Sequence, residues 1–136
     1  MPDDFLNAVT LWSTVKPYSG FPSETIAWRL IPAFKHNSYK MWHNADGSCR
    51  GFVTWAFMSS EEFDTREYSG AEIFARKSGD KLVFVDMIAP NGVSDVLYMS
   101  RDLRSFFRKQ FPEVKIAWSH RGPRNGWYPK KVAGHD

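Results

Sequence analysis

The stretch SGDKLVFVDMIAPNG, residues 78–92, decides how this chain is to be read. Its middle, KLVFVDMI, is an apolar run with β-branched residues, the composition of a strand covered on both faces. Pro90 and the Asn91-Gly92 pair close it with turn chemistry. One carboxylate, Asp86, stands inside the run. A buried carboxylate needs a hydrogen-bonding or charged partner whatever its purpose, because an unpaired charge is costly to remove from water. The residues alone leave two roles open for Asp86: fixing the Ile-Ala-Pro turn through nearby backbone groups, or chemistry.

Elements of both periods flank this strand. After it, SDVLYMSRDLRSFFRKQF predicts an amphipathic helix, with Val96, Met99, Leu103, Phe106, Phe107 and Gln110 at spacings of three and four. Pro112 ends that helix and VKIAWSH supplies another strand. Before it, SYKMWHN and CRGFVTWAFM flank the turn signal Asp46-Gly47 and predict a β-hairpin. Ser59 and Glu62 have capping-box spacing ahead of a short polar helix. SGAEIFARKSGD is read as the connection into the Asp86 strand.

Towards the N-terminus, PDDFLNAVTLWSTV predicts a helix, since Asp3 and Asp4 suit its positive end and Phe5, Val9 and Trp12 share a side. KPYSGFP is a loop, and SETIAWRLIPAFKHN a second helix kinked or split at Pro32. The final RGPRNGWYPKKVAGHD is expected to be loop-like. The order α-α-β-β-α-β-α-β implies one α/β domain, a mixed central β-sheet flanked by helices.

With 136 residues, 43% hydrophobic and 24% charged, the chain has the size and composition of a single globular domain. Charges interrupt every apolar stretch well before about 18 residues, which excludes a membrane-spanning helix. Two acids follow the first Met-Pro where a secretory signal would be basic, and the single Cys49 has no internal disulfide partner; both suit a cytoplasmic protein. Cys49 reads as a partly buried strand residue, with a catalytic thiol as the alternative. The net charge is +3, and the excess gathers towards the C-terminal end in Arg101, Arg104, Arg108, Lys109, Lys115, Arg121, Arg124, Lys130 and Lys131. Such a surface favours an anionic partner, although no nucleic-acid-binding motif accompanies it. Four histidines and one cysteine show no metal-ligand spacing, so no metal site is expected.

Several segments together resemble the toxin-activating lysine acyltransferases of RTX cytolysins: LW at 11–12, IPAFKHNSY at 31–39, GFVTWAFMSSEE at 51–62, and SGDKLVFVDMIAPNG itself. The SGD…D-IAP combination is the specific part. The resemblance implies a single domain similar in fold to the GNAT acetyltransferases over residues 1–120, with 121–136 a basic tail. It implies a protein-lysine acyltransferase that takes a fatty acyl group from acyl-acyl carrier protein, without a tightly bound cofactor. Its partners would be the acyl carrier protein and a protein substrate bearing the target lysine; a homodimer is also admitted. The glycine-rich pyrophosphate loop of coenzyme A users is not found here, as this donor implies.

The resemblance assigns catalysis to an aspartate on the central strand and a histidine in the loop after the first helix. Asp86 matches the aspartate, and Tyr18 stands where the histidine belongs. A phenol with an ordinary pKa near 10 is a poor base at neutral pH, though it can donate a hydrogen bond to an oxyanion. His36, His43, His120 and His135 are the alternative imidazoles. The competing expectation is a protein-binding or nucleic-acid-associated module that keeps the fold without the chemistry.

Overall fold

A computed structural model describes residues 2–14, 29–65, 70–114, 116–121 and 126–131. Its elements are α1 (Pro2–Thr14), α2 (Ile31–Lys35), β1 (Tyr39–His43), β2 (Cys49–Met58), α3 (Ser60–Thr65), α4 (Gly70–Ala75), β3 (Lys81–Ile88), α5 (Val93–Gln110), β4 (Ile116–Arg121) and β5 (Gly126–Lys131). The strands form one sheet in the order β1-β2-β3-β4-β5. Every neighbouring pair is antiparallel except β3 and β4, which are parallel and joined through α5. This is the mixed α/β sheet flanked by helices that the sequence implies, and it is compatible with a GNAT-like fold.

The expected hairpin forms as β1 and β2, with Gly47 taking φ 91 in the turn. β2 is buried at eight consecutive residues, from Gly51 to Met58, because helices cover both faces of the sheet. Val53, Trp55 and Phe57 of β2 join Leu82 of β3 in a cluster under α5, which contributes Met99, Leu103 and Phe107. The opposite face carries Phe52, Ile88, Ala8, Trp12 and Leu30 in one cluster and Ala33, Ala56, Met58, Phe63, Ile73, Phe74 and Val83 in another. The helical spacing read for α5 therefore selects its buried side, except that Gln110 is exposed.

The capping box is formed in both directions: Glu62 N donates to Ser59 Oγ at 3.1 Å and Ser59 N to Glu62 Oε1 at 2.8 Å. Pro32 sits in the first turn of α2, where its missing N–H is harmless. Residues 15–28, which carry KPYSGFP and the first six residues of the second expected helix, lie outside the described residues.

Two segments differ from expectation. The connection SGAEIFARKSGD contains α4, whose Ile73 and Phe74 are fully buried. Six residues are too few to show a helical period, and burial of these two side chains holds the helix in place. The C-terminal stretch read as loop-like contains β5, paired with β4 from Arg121↔Gly126 to Ile116↔Lys131, so the sheet continues past residue 120. Gly126 and Pro129 suggested a loop, yet proline is admitted on an edge strand, and β5 is the edge of this sheet.

Candidate functional site

Asp86 lies on β3, the middle strand, and only 2% of it is exposed. A β-bulge decides which way it faces. Between β2 and β3 the register runs Thr54↔Asp86 and then Trp55↔Phe84, which leaves Val85 as the extra residue. Regular alternation from Leu82 and Phe84 would turn residue 86 towards α5. The bulge shifts the alternation by one, so Met87 packs with the α5 cluster while Ile88 joins the cluster of α1. Asp86 is thereby placed on the α1 face together with Thr54, whose neighbours Val53 and Trp55 point to α5. The Asp86 amide donates to Thr54 Oγ1 at 3.2 Å.

The partner the buried carboxylate requires is Arg29, a residue with no signal of its own in the sequence. Its Nε donates to Asp86 Oδ2 at 3.2 Å and its Nη2 to Oδ1, a two-pronged charged contact. Its guanidinium also lies 5.9 Å from the centre of the Trp12 ring, which links the pair to α1. Burial pushes the Asp86 carboxyl above the ordinary carboxylate pKa; the charge and hydrogen bonds of Arg29 oppose that shift.

β3 also loses a neighbour at this point. Its pairing with β4 runs from Leu82↔Ala117 to Phe84↔Ser119 and stops, although β3 continues to Ile88 and β4 to Arg121. Beyond Phe84 the two parallel strands are no longer paired, and Val85 and Asp86 follow the last paired residue of β3. Arg29 Nη2 reaches the Val85 carbonyl at 3.5 Å, on the stretch that β4 no longer pairs. A buried ionisable group just past the end of a parallel strand pairing is a candidate functional group.

Of the other candidates, Tyr18, His120 and His135 are outside the side chains described. The hydrogen-bond partners of Asp86 among the described residues are Arg29 and Thr54, and neither His36 nor His43 is one of them. His43 Nε2 instead lies 3.2 Å from Asp4 Oδ1, and Tyr39 donates to the other oxygen of the same carboxylate at 3.1 Å. These contacts tie α1 to β1. Cys49 is half-buried at the start of β2 and its thiol donates to the Gly51 carbonyl at 3.5 Å. Burial pushes the thiol pKa up, outweighing that hydrogen bond, so Cys49 has the character of an inert strand cysteine. Among the described residues no three His, Cys, Asp or Glu side chains converge to hold a metal ion, and no helix is long and apolar enough to cross a membrane.

SGD plays a structural part at the other end of β3. Asp80 Oδ2 accepts from Ser60 N at 3.0 Å and Ser60 Oγ at 3.2 Å at the start of α3. A Cβ on Gly79 would lie 3.0 Å from that of Phe57.

The α/β domain, a mixed sheet flanked by helices, is compatible with a GNAT-like fold. The comparison of sequences carries the assignment further: the model of the RTX toxin acyltransferase family matches residues 5–132. The chain belongs to that family. No curated protein matches it.

Proposed function

We propose that this protein transfers a fatty acyl group from acyl-acyl carrier protein to the ε-amino group of a lysine on a target protein. The family gives acyl transfer and a toxin substrate as its activity; the carrier donor and the lysine acceptor are our reading. The observation that carries it is the buried Asp86, held by Arg29 just past the end of the β3–β4 pairing.

In this reaction the lysine ammonium loses a proton, the amine attacks the thioester carbonyl, the C–N bond forms and the C–S bond breaks. A second proton leaves the nitrogen as the amide forms, and one proton reaches the departing thiolate. Asp86 is the group that draws in the ammonium and receives or orients its proton. Burial favours this role, since a carboxyl raised above its ordinary range is a better proton acceptor near neutral pH. Arg29 fixes the carboxylate's direction and opposes the rise that burial causes. Tyr18, where the family has its histidine, serves as a hydrogen-bond donor to the oxyanion rather than as the base.

The test is incubation with labelled acyl-acyl carrier protein and lysine-bearing target, comparing wild type, Asp86→Asn and Tyr18→Phe. We expect wild type to form a hydroxylamine-stable amide on the target. Asp86→Asn should lose about a hundredfold or more in rate, the scale of a lost acid–base group. Undiminished transfer by both variants would remove these residues from the site. Carrier binding without thioester consumption would instead favour a binding module, the reading that the absent histidine supports.

A further inference from the structure

We propose that the outward face of α5 is the docking surface for the acidic protein that delivers the acyl group, with Arg101, Arg104, Arg108 and Lys109 as its charged contacts and Leu97 and Tyr98 as its apolar ones. The inference rests on the acyl-transfer reading for the identity of the partner and on the structure for the place.

The helix turns Met99, Leu103 and Phe107 into the core and leaves the opposite side to solvent. At 100° per residue, Leu97, Tyr98, Arg101, Arg104, Ser105, Arg108 and Lys109 fall on that outer side. Of these, Arg104 is half-buried and the rest are exposed. The four cations span about 12 Å at the α-helical rise, and they exceed the +3 net charge of the whole chain. Both acids of the helix have partners outside it. Asp95 is buried against Arg50, and Asp102 accepts from Trp42 Nε1 at 2.8 Å and lies 3.6 Å from Lys40 Nζ.

Beside the charges stand two large apolar side chains that the core does not use, Leu97 at 61% and Tyr98 at 48% exposure. The Tyr98 ring is fixed from one side by the Arg50 guanidinium, 4.8 Å from its centre. A rigid aromatic and a leucine at the end of a cationic stripe form a small apolar contact with a charged surround, the composition of a protein–protein contact. Nucleic acid would need stacking aromatics spread along the cations, and a membrane surface would need a broader apolar face.

The direction of α5 gives the stripe its use. Met99 lies beside Gly51 and the Ile88 carbonyl, whereas Phe111, just past the end of the helix, meets Phe57 edge to face with ring centres 5.3 Å apart. α5 therefore runs antiparallel to β3, and Leu97 and Tyr98 stand at the end of the sheet where Asp86 lies. A partner held on the stripe has its apolar contact at the end of the sheet where Asp86 lies, which is where its thioester has to arrive.

The experiment combines binding with turnover. Binding of acyl carrier protein is measured for wild type and for the double variant Arg101→Glu/Arg108→Glu. Transfer is then measured with acyl-acyl carrier protein and with an acyl-pantetheine thioester that lacks the protein. We expect charge reversal to weaken carrier binding at least tenfold and to raise KM for the carrier-borne donor by a similar factor, with kcat and use of the small thioester unchanged. Equal loss with both donors, unchanged carrier binding, or retention of RNA or anionic vesicles in place of the carrier would overturn the proposal. If wild type binds the carrier and charge reversal abolishes binding but no donor is turned over, the docking surface stands and the acyl-transfer reading falls.

Discussion

At the scale of single residues, the Asp86–Arg29 pair carries the consequences that can be measured most directly. Removing one member of a buried ion pair leaves the other charge without its counter-ion, which costs about 3–5 kcal/mol. Arg29→Ala should therefore be strongly destabilised at neutral pH. The sign with pH follows from the raised carboxyl pKa. A carboxyl whose folded pKa exceeds its unfolded value binds its proton more tightly in the native state, so stability is lost as pH rises through that interval. Without Arg29 the interval widens, and the deficit of Arg29→Ala relative to wild type should be smaller at pH 5 than at pH 7 by urea unfolding. A deficit independent of pH would mean that Asp86 is not the group left exposed to the loss. Asp86 itself was legible in the sequence as an acid in an apolar strand. Arg29 was not, because its meaning depends on a neighbour 57 positions away.

At the scale of elements, local chemistry explains α3 well. Its N-terminus is closed by Ser59 and Glu62, and Arg76 donates through Nη2 to Glu62 Oε2 at 2.9 Å. The Arg76 contact, with help from the Ser59 amide, holds the Glu62 carboxyl down at about 2. A depressed folded pKa gives stability that is present above the unfolded value and is lost as pH falls through the folded one. The contribution should accordingly disappear between about pH 4.5 and about pH 2. Glu62→Gln should be less stable than wild type at pH 7, by about 1 kcal/mol as for a lost cap. The two proteins should converge near pH 2 in thermal melts; a gap that persisted there would place the effect outside this ion pair. Gly51 shows an element-level constraint of another kind. A Cβ there would fall 2.7 Å from the Ile88 carbonyl and 2.9 Å from Met99 Sδ, so the close approach of β2, β3 and α5 requires glycine.

At the scale of the whole molecule, one helix serves two surfaces. Its inner side fills the larger core cluster and its outer side presents the basic stripe. The two sides should separate cleanly in stability measurements. Phe107, fully buried against Trp55, Phe84 and Phe111, should cost about 3–5 kcal/mol when changed to Ala. Arg101→Glu should stay within about 0.5 kcal/mol of wild type, as judged by denaturant midpoints at constant slope. A large loss from Arg101→Glu would assign that side chain to the fold instead of to a partner.

What the sequence determined by itself was whatever chemistry neighbours along the chain dictate. The hairpin turn at Asp46-Gly47, the capping box of α3, the buried side of α5 and the apolar strand β3 all follow from spacing and local hydrogen bonding. The family pattern likewise stands in short quoted segments, and Asp86 stands in one of them. Tertiary structure decided the rest. α4 exists because Ile73 and Phe74 find a core to fill, and β5 because β4 offers it an edge. The face on which Asp86 lies turns on one extra residue, Val85, because side chains on a strand alternate with a period of two and a single insertion reverses them. Its partner Arg29 comes from a segment 57 positions away that only the folded chain brings to that face. Both depend on how strands are aligned in space, and no window of sequence around residue 86 contains that alignment.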